Sequence, residues 1–139
     1  MKFEDFIKQG KVRKGAVDIP KIKSLIQTSK NHFLFLANKK VDEVSAGSII
    51  ITYYEALREI VEAVCLLEGF KVYSHEAFTY FLKEKNEISP SIKFDNLRKL
   101  RNSVNYYGEK VSANEVLAAK EEIIGLVHYL KNKYLGEFD

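Results

Sequence analysis

A chain of 139 residues that is 46% hydrophobic, with two prolines and seven glycines, is long enough to bury one core and too apolar to remain disordered. Its 22 lysines and arginines against 19 aspartates and glutamates leave a net charge of +3, a mild bias toward anionic partners that does not by itself establish nucleic-acid binding. The single cysteine, Cys65, excludes an intrachain disulfide and suits a reducing cytosol, and no apolar run approaches the roughly 20 residues that cross a bilayer.

Near the N-terminus, Phe3, Phe6 and Ile7 fit one short amphipathic turn, with no hydrophobic signal core; the expected location is cytoplasmic. Gly10 to Gly15 is basic and glycine-flanked and reads as a loop, a solvated connector whose charges could touch an RNA backbone. Residues 1–17 form this short helix and basic loop, and residues 18–139 a helical domain.

Asp18 ahead of Pro20 marks a helix start, and Ile22, Leu25, Ile26, Phe33, Leu36 and Ala37 give that helix one apolar face ending near Asn38. Lys39 to Ala46 is a polar loop. From about Ser48 to Glu68 the apolar arc is wide, through Ile50, Tyr53, Tyr54, Leu57, Ile60, Val61, Val64 and Leu67, as expected of a central bundle helix or a subunit interface. Its polar face carries Arg58, Glu59 and Glu62, which read as a surface ion-pair set. Cys65 on the same helix reads as a buried, inert thiol.

Gly69 ends that helix, and period-two alternation appears only briefly, around Phe70 to Tyr73. Ser74 reads as the cap of a helix through Phe78, Phe81 and Leu82, with His75 in its first turn in a structural role. Ser89-Pro90 reads as a break. The last helix opens on the capping box Ser112-Ala113-Asn114-Glu115, buries Val116, Ile123, Val127, Leu130 and Tyr134, and frays after Leu135. The expected fold class is all-α: an up-and-down four-helix bundle with one or two short additional helices.

Between the break and the last helix lies Phe94 to Gly108. Leu97, Leu100, Val104 and Tyr107 recur at helical spacing and predict one buried stripe. At about 100° per residue, Arg98, Arg101, Asn102 and Asn105 fall on a neighbouring polar arc. Two guanidiniums and two amides on one face can hold a phosphate, by bidentate charge-assisted bonds from arginine and neutral bonds from asparagine. An ordinary solvated helix face has the same appearance. Gly108 fits a left-handed helix terminus.

Arg101-Asn102-Ser103-Val104-Asn105-Tyr106-Tyr107-Gly108 resembles the signature of the HEPN family, the higher eukaryotes and prokaryotes nucleotide-binding domain. A second stretch also resembles it, from Tyr54-Glu55-Ala56-Leu57-Arg58-Glu59-Ile60 through Leu66 to Phe70 and Tyr73 to Ala77. The resemblance extends over roughly residues 18 to 134. It implies a helical bundle, dimerisation through the motif helices, and RNA or a nucleotide as ligand. In active members the arginine, with a histidine about one turn downstream, cleaves RNA without metal. This chain departs from that pattern, with Tyr106, Tyr107 and Gly108 where the histidine would stand. Tyrosine, with a pKa of about 10, replaces imidazole poorly in proton transfer near neutral pH.

The anion-binding half of the motif is kept and the acid–base half is missing. The resemblance then implies a binding protein with a degenerate ribonuclease site. In it Arg98 and Arg101 hold phosphate, Asn102 and Asn105 add hydrogen bonds, and Tyr106 and Tyr107 lie beside them for stacking. The alternative is an active, toxin-like endoribonuclease using Arg101, Asn102 and Tyr106. Small members of the family resemble toxin–antitoxin components that pair with a minimal nucleotidyltransferase, for which Tyr106 and Tyr107 would be modification targets. No metal or other cofactor is expected: His32, His75 and His128 fall on three different helices without ligand spacing.

Overall fold

A computed structural model describes residues 1–138. The chain runs α1 (Phe3–Lys8), β1 (Val12–Lys14), α2 (Ile19–Leu36), α3 (Ala46–Leu67), β2 (Phe70–Val72), α4 (His75–Glu84), α5 (Ile88–Tyr107) and α6 (Ala113–Tyr134), and ends in a 3₁₀ turn, Gly136–Phe138.

The α3 segment has no proline, and its buried residues include Ile49, Ile50, Tyr53, Tyr54, Leu57, Ile60, Val61, Val64 and Leu66, which leave little of its circumference polar. A helix apolar on so many sides must be covered from several directions, and α2, α5 and α6 do so. The pairs α2 and α3, α3 and α5, and α5 and α6 run antiparallel. Leu36 at the end of α2 lies beside Ile49 early in α3, and Asp18 beside Leu66. Val104 late in α5 meets Gly47, while Phe94 earlier in α5 meets Tyr54. Glu87, preceding α5, bonds to Tyr134 at the end of α6. This is the expected all-α, up-and-down bundle of four long helices, with α1 and α4 as the short additions. No helix among the described residues is long and apolar enough to cross a membrane.

The helix termini follow local chemistry. Asp18 accepts a bond from the Lys21 N–H, and Ser112 and Glu115 cap each other reciprocally at 3.1 Å. Gly108 closes α5 with φ +64°, the left-handed conformation that favours glycine.

Four expectations need correction. The basic segment at Gly10–Gly15 is not only loop: β1 pairs antiparallel with β2, placing Val12 opposite Val72, Arg13 opposite Lys71 and Lys14 opposite Phe70. The Val12 side chain is buried, and Phe3, Phe6 and Val12 all belong to the main hydrophobic core. The link is tight at Gly69, where φ is +84° and an added Cβ would lie 2.5 Å from the Gly15 carbonyl oxygen. Ser89-Pro90 is not a break, because α5 starts at Ile88 and proline in the first turn removes an N–H that has no helical acceptor anyway. Ser74 does stand at the N-cap of α4, as expected, with no side-chain capping bond. Tyr107 is 79% exposed, so the stripe of α5 buries Leu97 fully and Leu100 and Val104 in part, and stops there. The chain does not fray after Leu135, which is wholly buried: Gly136–Phe138 forms the 3₁₀ turn.

One polar cluster fastens the α4–α5 corner to α6. Glu87 is buried and accepts bonds from the Tyr129 hydroxyl at 2.8 Å, the Tyr134 hydroxyl at 2.6 Å and the Lys133 ammonium at 3.0 Å. Burial opposes ionisation of Glu87, but the bonds from Tyr134, Tyr129 and Lys133 outweigh it and hold the carboxyl below its ordinary range. A group with a depressed folded pKa stabilises the fold above its unfolded value, and that contribution is lost as the pH falls through the folded one. Glu87→Ala is expected to cost about 2–3 kcal/mol at neutral pH in denaturant unfolding. In Glu87→Gln, the part of the acid-induced stability loss below the ordinary value of 4.5 that belongs to this carboxyl should disappear.

Candidate functional site

The conspicuous polar concentration of the molecule lies where α3, the start of α4 and the C-terminal half of α5 meet. At its centre is Tyr54, wholly buried on α3 by the same apolar pattern that makes α3 central. Its ring packs at 5.7 Å from that of Phe94 and stacks on the His75 imidazole at 5.8 Å and 25°. A buried hydroxyl requires a partner, and the Tyr54 hydroxyl has one in His75 Nδ1 at 3.0 Å. Burial pushes the Tyr54 phenol far up, so it stays protonated and can donate to a neutral imidazole.

Burial, and then the charge of Arg58, press the His75 pKa below the ordinary 6.5, with smaller contributions in the same direction from Arg101 and Arg98 against Glu55. His75 is therefore neutral at pH 7. If it takes up a proton, Nδ1 becomes a donor and the Tyr54 oxygen can accept, so the pair accommodates both states.

The three arginines here differ in what already holds them. Arg58 donates to Glu55 at 2.8 Å and to Glu62. Arg98 donates twice to Asp95 Oδ1, at 3.1 and 2.9 Å, and Asp95 also meets Lys99 at 3.2 Å and the Thr79 hydroxyl at 3.0 Å. Burial works against the Asp95 charge, yet the bonds from Arg98, Lys99 and Thr79 prevail and lower its pKa.

Arg101 has no carboxylate partner among the described residues. Its guanidinium carbon lies 5.7 Å from the Tyr54 ring centroid and 5.2 Å from that of Tyr106, within cation–π range of both. Nη1 donates to the Tyr106 hydroxyl at 3.1 Å and to Asn102 Oδ1 at 3.3 Å. Nε is buried without an acceptor, while Nη2 has no protein partner and is not buried. A guanidinium held between two rings, with Nη2 unused, can donate a charge-assisted bond to an oxyanion.

Of the residues singled out in the sequence, Arg101, Asn102 and Tyr106 are thus brought into direct contact. Arg98 is close by but engaged by Asp95. Asn105 and Tyr107 are exposed, with no side-chain hydrogen bond to another described residue. Tyr54 and His75 complete the cluster from other elements. The sequence reading gave His75 a structural role because nothing next to it in the chain shows what α3 and α5 bring to it. His32 bonds instead to Glu59 at 2.8 Å, and His128 to Asn132 at 3.0 Å. Glu59 is buried, not on a surface face, and burial raises its pKa against the opposing pull of His32.

NMR titration of the three histidines should place His75 below the ordinary 6.5. Because its folded pKa is depressed, its contribution to stability is complete above 6.5 and declines as the pH falls through the folded value. Tyr54→Phe keeps both stacked rings and removes one bond, and should cost about 1 kcal/mol. An unshifted His75 titration would contradict the burial described. No family model, curated protein or solved structure matches this chain, so its function is read from this geometry.

Proposed function

We propose that this chain is a HEPN-like RNA- or nucleotide-binding protein in which Arg101 holds a phosphate. The observation that carries the reading is the state of Arg101: unlike Arg58 and Arg98 it has no carboxylate, and it is fixed between Tyr54 and Tyr106 with Nη2 free. Tyr106, 67% exposed, offers a ring for a base or ribose beside that phosphate. Asn102 lies within reach to add a hydrogen bond, and Asn105 and Tyr107 project into solvent at the same helix end. Dimerisation through the motif helices would bring a second Arg101 to the site, and a minimal nucleotidyltransferase is the proposed protein partner. Exposed Tyr106 and Tyr107 suit both a dimer contact and modification by such a partner.

His75 favours a second reading, a metal-independent endoribonuclease. In the tautomer whose Nδ1–H donates to the Tyr54 oxygen, its neutral imidazole keeps Nε2 free to take the proton from a ribose 2′-hydroxyl. The 2′-oxygen then bonds to the adjacent phosphorus and the bond from phosphorus to the 5′-oxygen breaks, leaving a 2′,3′-cyclic phosphate. Arg101 would stabilise the charge on the phosphorane, Asn102 and Tyr106 would orient the reacting groups, and the departing 5′-oxygen takes a proton from the Tyr106 hydroxyl or water.

Fluorescence anisotropy with labelled single-stranded RNA tests the first reading. Arg101→Ala should weaken binding by about 10- to 100-fold, the worth of a charge-assisted bond, while Arg98→Ala, already neutralised by Asp95, should change it only a few-fold. Unchanged affinity in Arg101→Ala would dismiss the proposal. Cleavage assays on chelated protein separate the second reading: activity lost in both Arg101→Ala and His75→Ala supports it. Activity that appears only in Tyr106→His identifies a disarmed site.

A further inference from the structure

The β1–β2 ribbon carries a charge pattern that its own stability does not explain. Arg13 and Lys71 are direct partners in the antiparallel register, and the bond from the Tyr73 N–H to the Lys11 carbonyl, at 2.8 Å, extends the pairing so that Lys11 faces Tyr73. With side chains alternating along each strand, Lys11, Arg13, Lys71 and Tyr73 share the outer face, opposite to buried Val12. Like charges directly across a ladder are destabilising. None of the three cations is paired with a carboxylate among the described residues. Two acids, Asp18 and Glu62, line a depression shared with Lys71 and Tyr73, and Asp18 also borders the cavity beside Arg13, but Asp18 caps α2 and Glu62 holds Arg58.

The face also has a ring. Tyr73 is 62% exposed, and the Arg13 guanidinium lies 5.8 Å from its centroid. A cavity of about 520 Å³ adjoins it, lined by Arg13, Lys14, Lys71 and Tyr73 among others. Exposed aromatic and arginine planes beside unpaired cations are the parts of a single-strand platform, since each base can stack while its phosphate meets a charge. The ribbon is close to the candidate site as well: Tyr73 precedes His75 by two residues, so their Cα atoms are at most about 7 Å apart.

We infer that the outer face of this ribbon is a second contact for single-stranded RNA, which receives the strand as it leaves the Arg101 site. The inference rests on the RNA-binding reading and adds to it a direction and a minimum length. A fragment confined to Arg101 does not reach Lys71 and Arg13; a longer strand does.

The test uses labelled oligouridylates, a trinucleotide and a strand of about 12 nucleotides, between about 50 and 200 mM salt. The proteins are wild type, Arg101→Ala, Tyr73→Ala and the combined variant Lys11→Gln/Arg13→Gln/Lys71→Gln. The combined variant should bind the longer strand at least about tenfold more weakly, with the slope of log affinity against log salt reduced by about 2, and should bind the trinucleotide as wild type does. Tyr73→Ala should weaken the longer strand about tenfold with the slope unchanged. The thermal midpoint of the combined variant should be unchanged or raised, since a like-charge pair has been removed; a lowered midpoint would make the ribbon charges structural and overturn the inference. Wild-type binding of the longer strand by the combined variant, with binding lost in Arg101→Ala, overturns the ribbon contact and leaves the Arg101 reading in place. Wild-type binding by Arg101→Ala overturns both. Equal binding of a duplex with Tyr73→Ala silent overturns the single-strand assignment.

Discussion

Because α3 is buried over most of its surface, each polar group it carries must find its partner inside the protein. Burying a hydroxyl or a charge unpaired costs far more than any single bond returns. Tyr54 meets His75 from α4, Glu59 meets His32 from α2, and the Ala56 carbonyl, beside both, accepts from the Ser29 hydroxyl. Arg58 is secured by Glu55 and Glu62 on its own helix. These obligations fix the register of the neighbouring helices on α3. The candidate site is a consequence, because the partner of Tyr54 is an imidazole and the helix covering its ring is the one that bears Arg101.

Two arginines three residues apart on one arc end in different electrical states, and the reason is local. Arg98 has Asp95 one turn before it and is neutralised. The positions three and four away from Arg101 are Leu97, Arg98, Val104 and Asn105, so its own helix offers no carboxylate. An arc is therefore too coarse a description for an anion site; the acids at helical spacing decide which cations remain available. Read that way, the distinction between Arg98 and Arg101 was already legible in the sequence.

Other features were legible for the same reason, that they depend on neighbours in the chain. The capping box at Ser112, the cap at Asp18, the left-handed Gly108 and the wide apolar arc of α3 are all decided within one or two helical turns. What was not legible depends on distance. β1 has three residues and acquires its strand character from β2, some 58 residues later, through Val12 and Val72. His75 stands between Ser74 and Glu76 in the chain and gains a place beside Arg101 only when α3 supplies Tyr54. Tyr107 satisfies the helical period of α5, but the bundle has no further layer at that end to cover it, so periodicity predicted a burial that packing does not provide.

A net charge of +3 on a chain of this size says little, yet its distribution says more. On this side of the molecule, acids are consumed by structural work: Asp95 by Arg98 and Lys99, Glu62 and Glu55 by Arg58, Asp18 by a helix terminus. Among the described residues, Arg101 and the cations on the outer face of the ribbon have no carboxylate partner. What these cations do have is a tyrosine ring: Arg101 meets Tyr54 and Tyr106, and Arg13 meets Tyr73. The proposed contact with an anionic chain would use these charges.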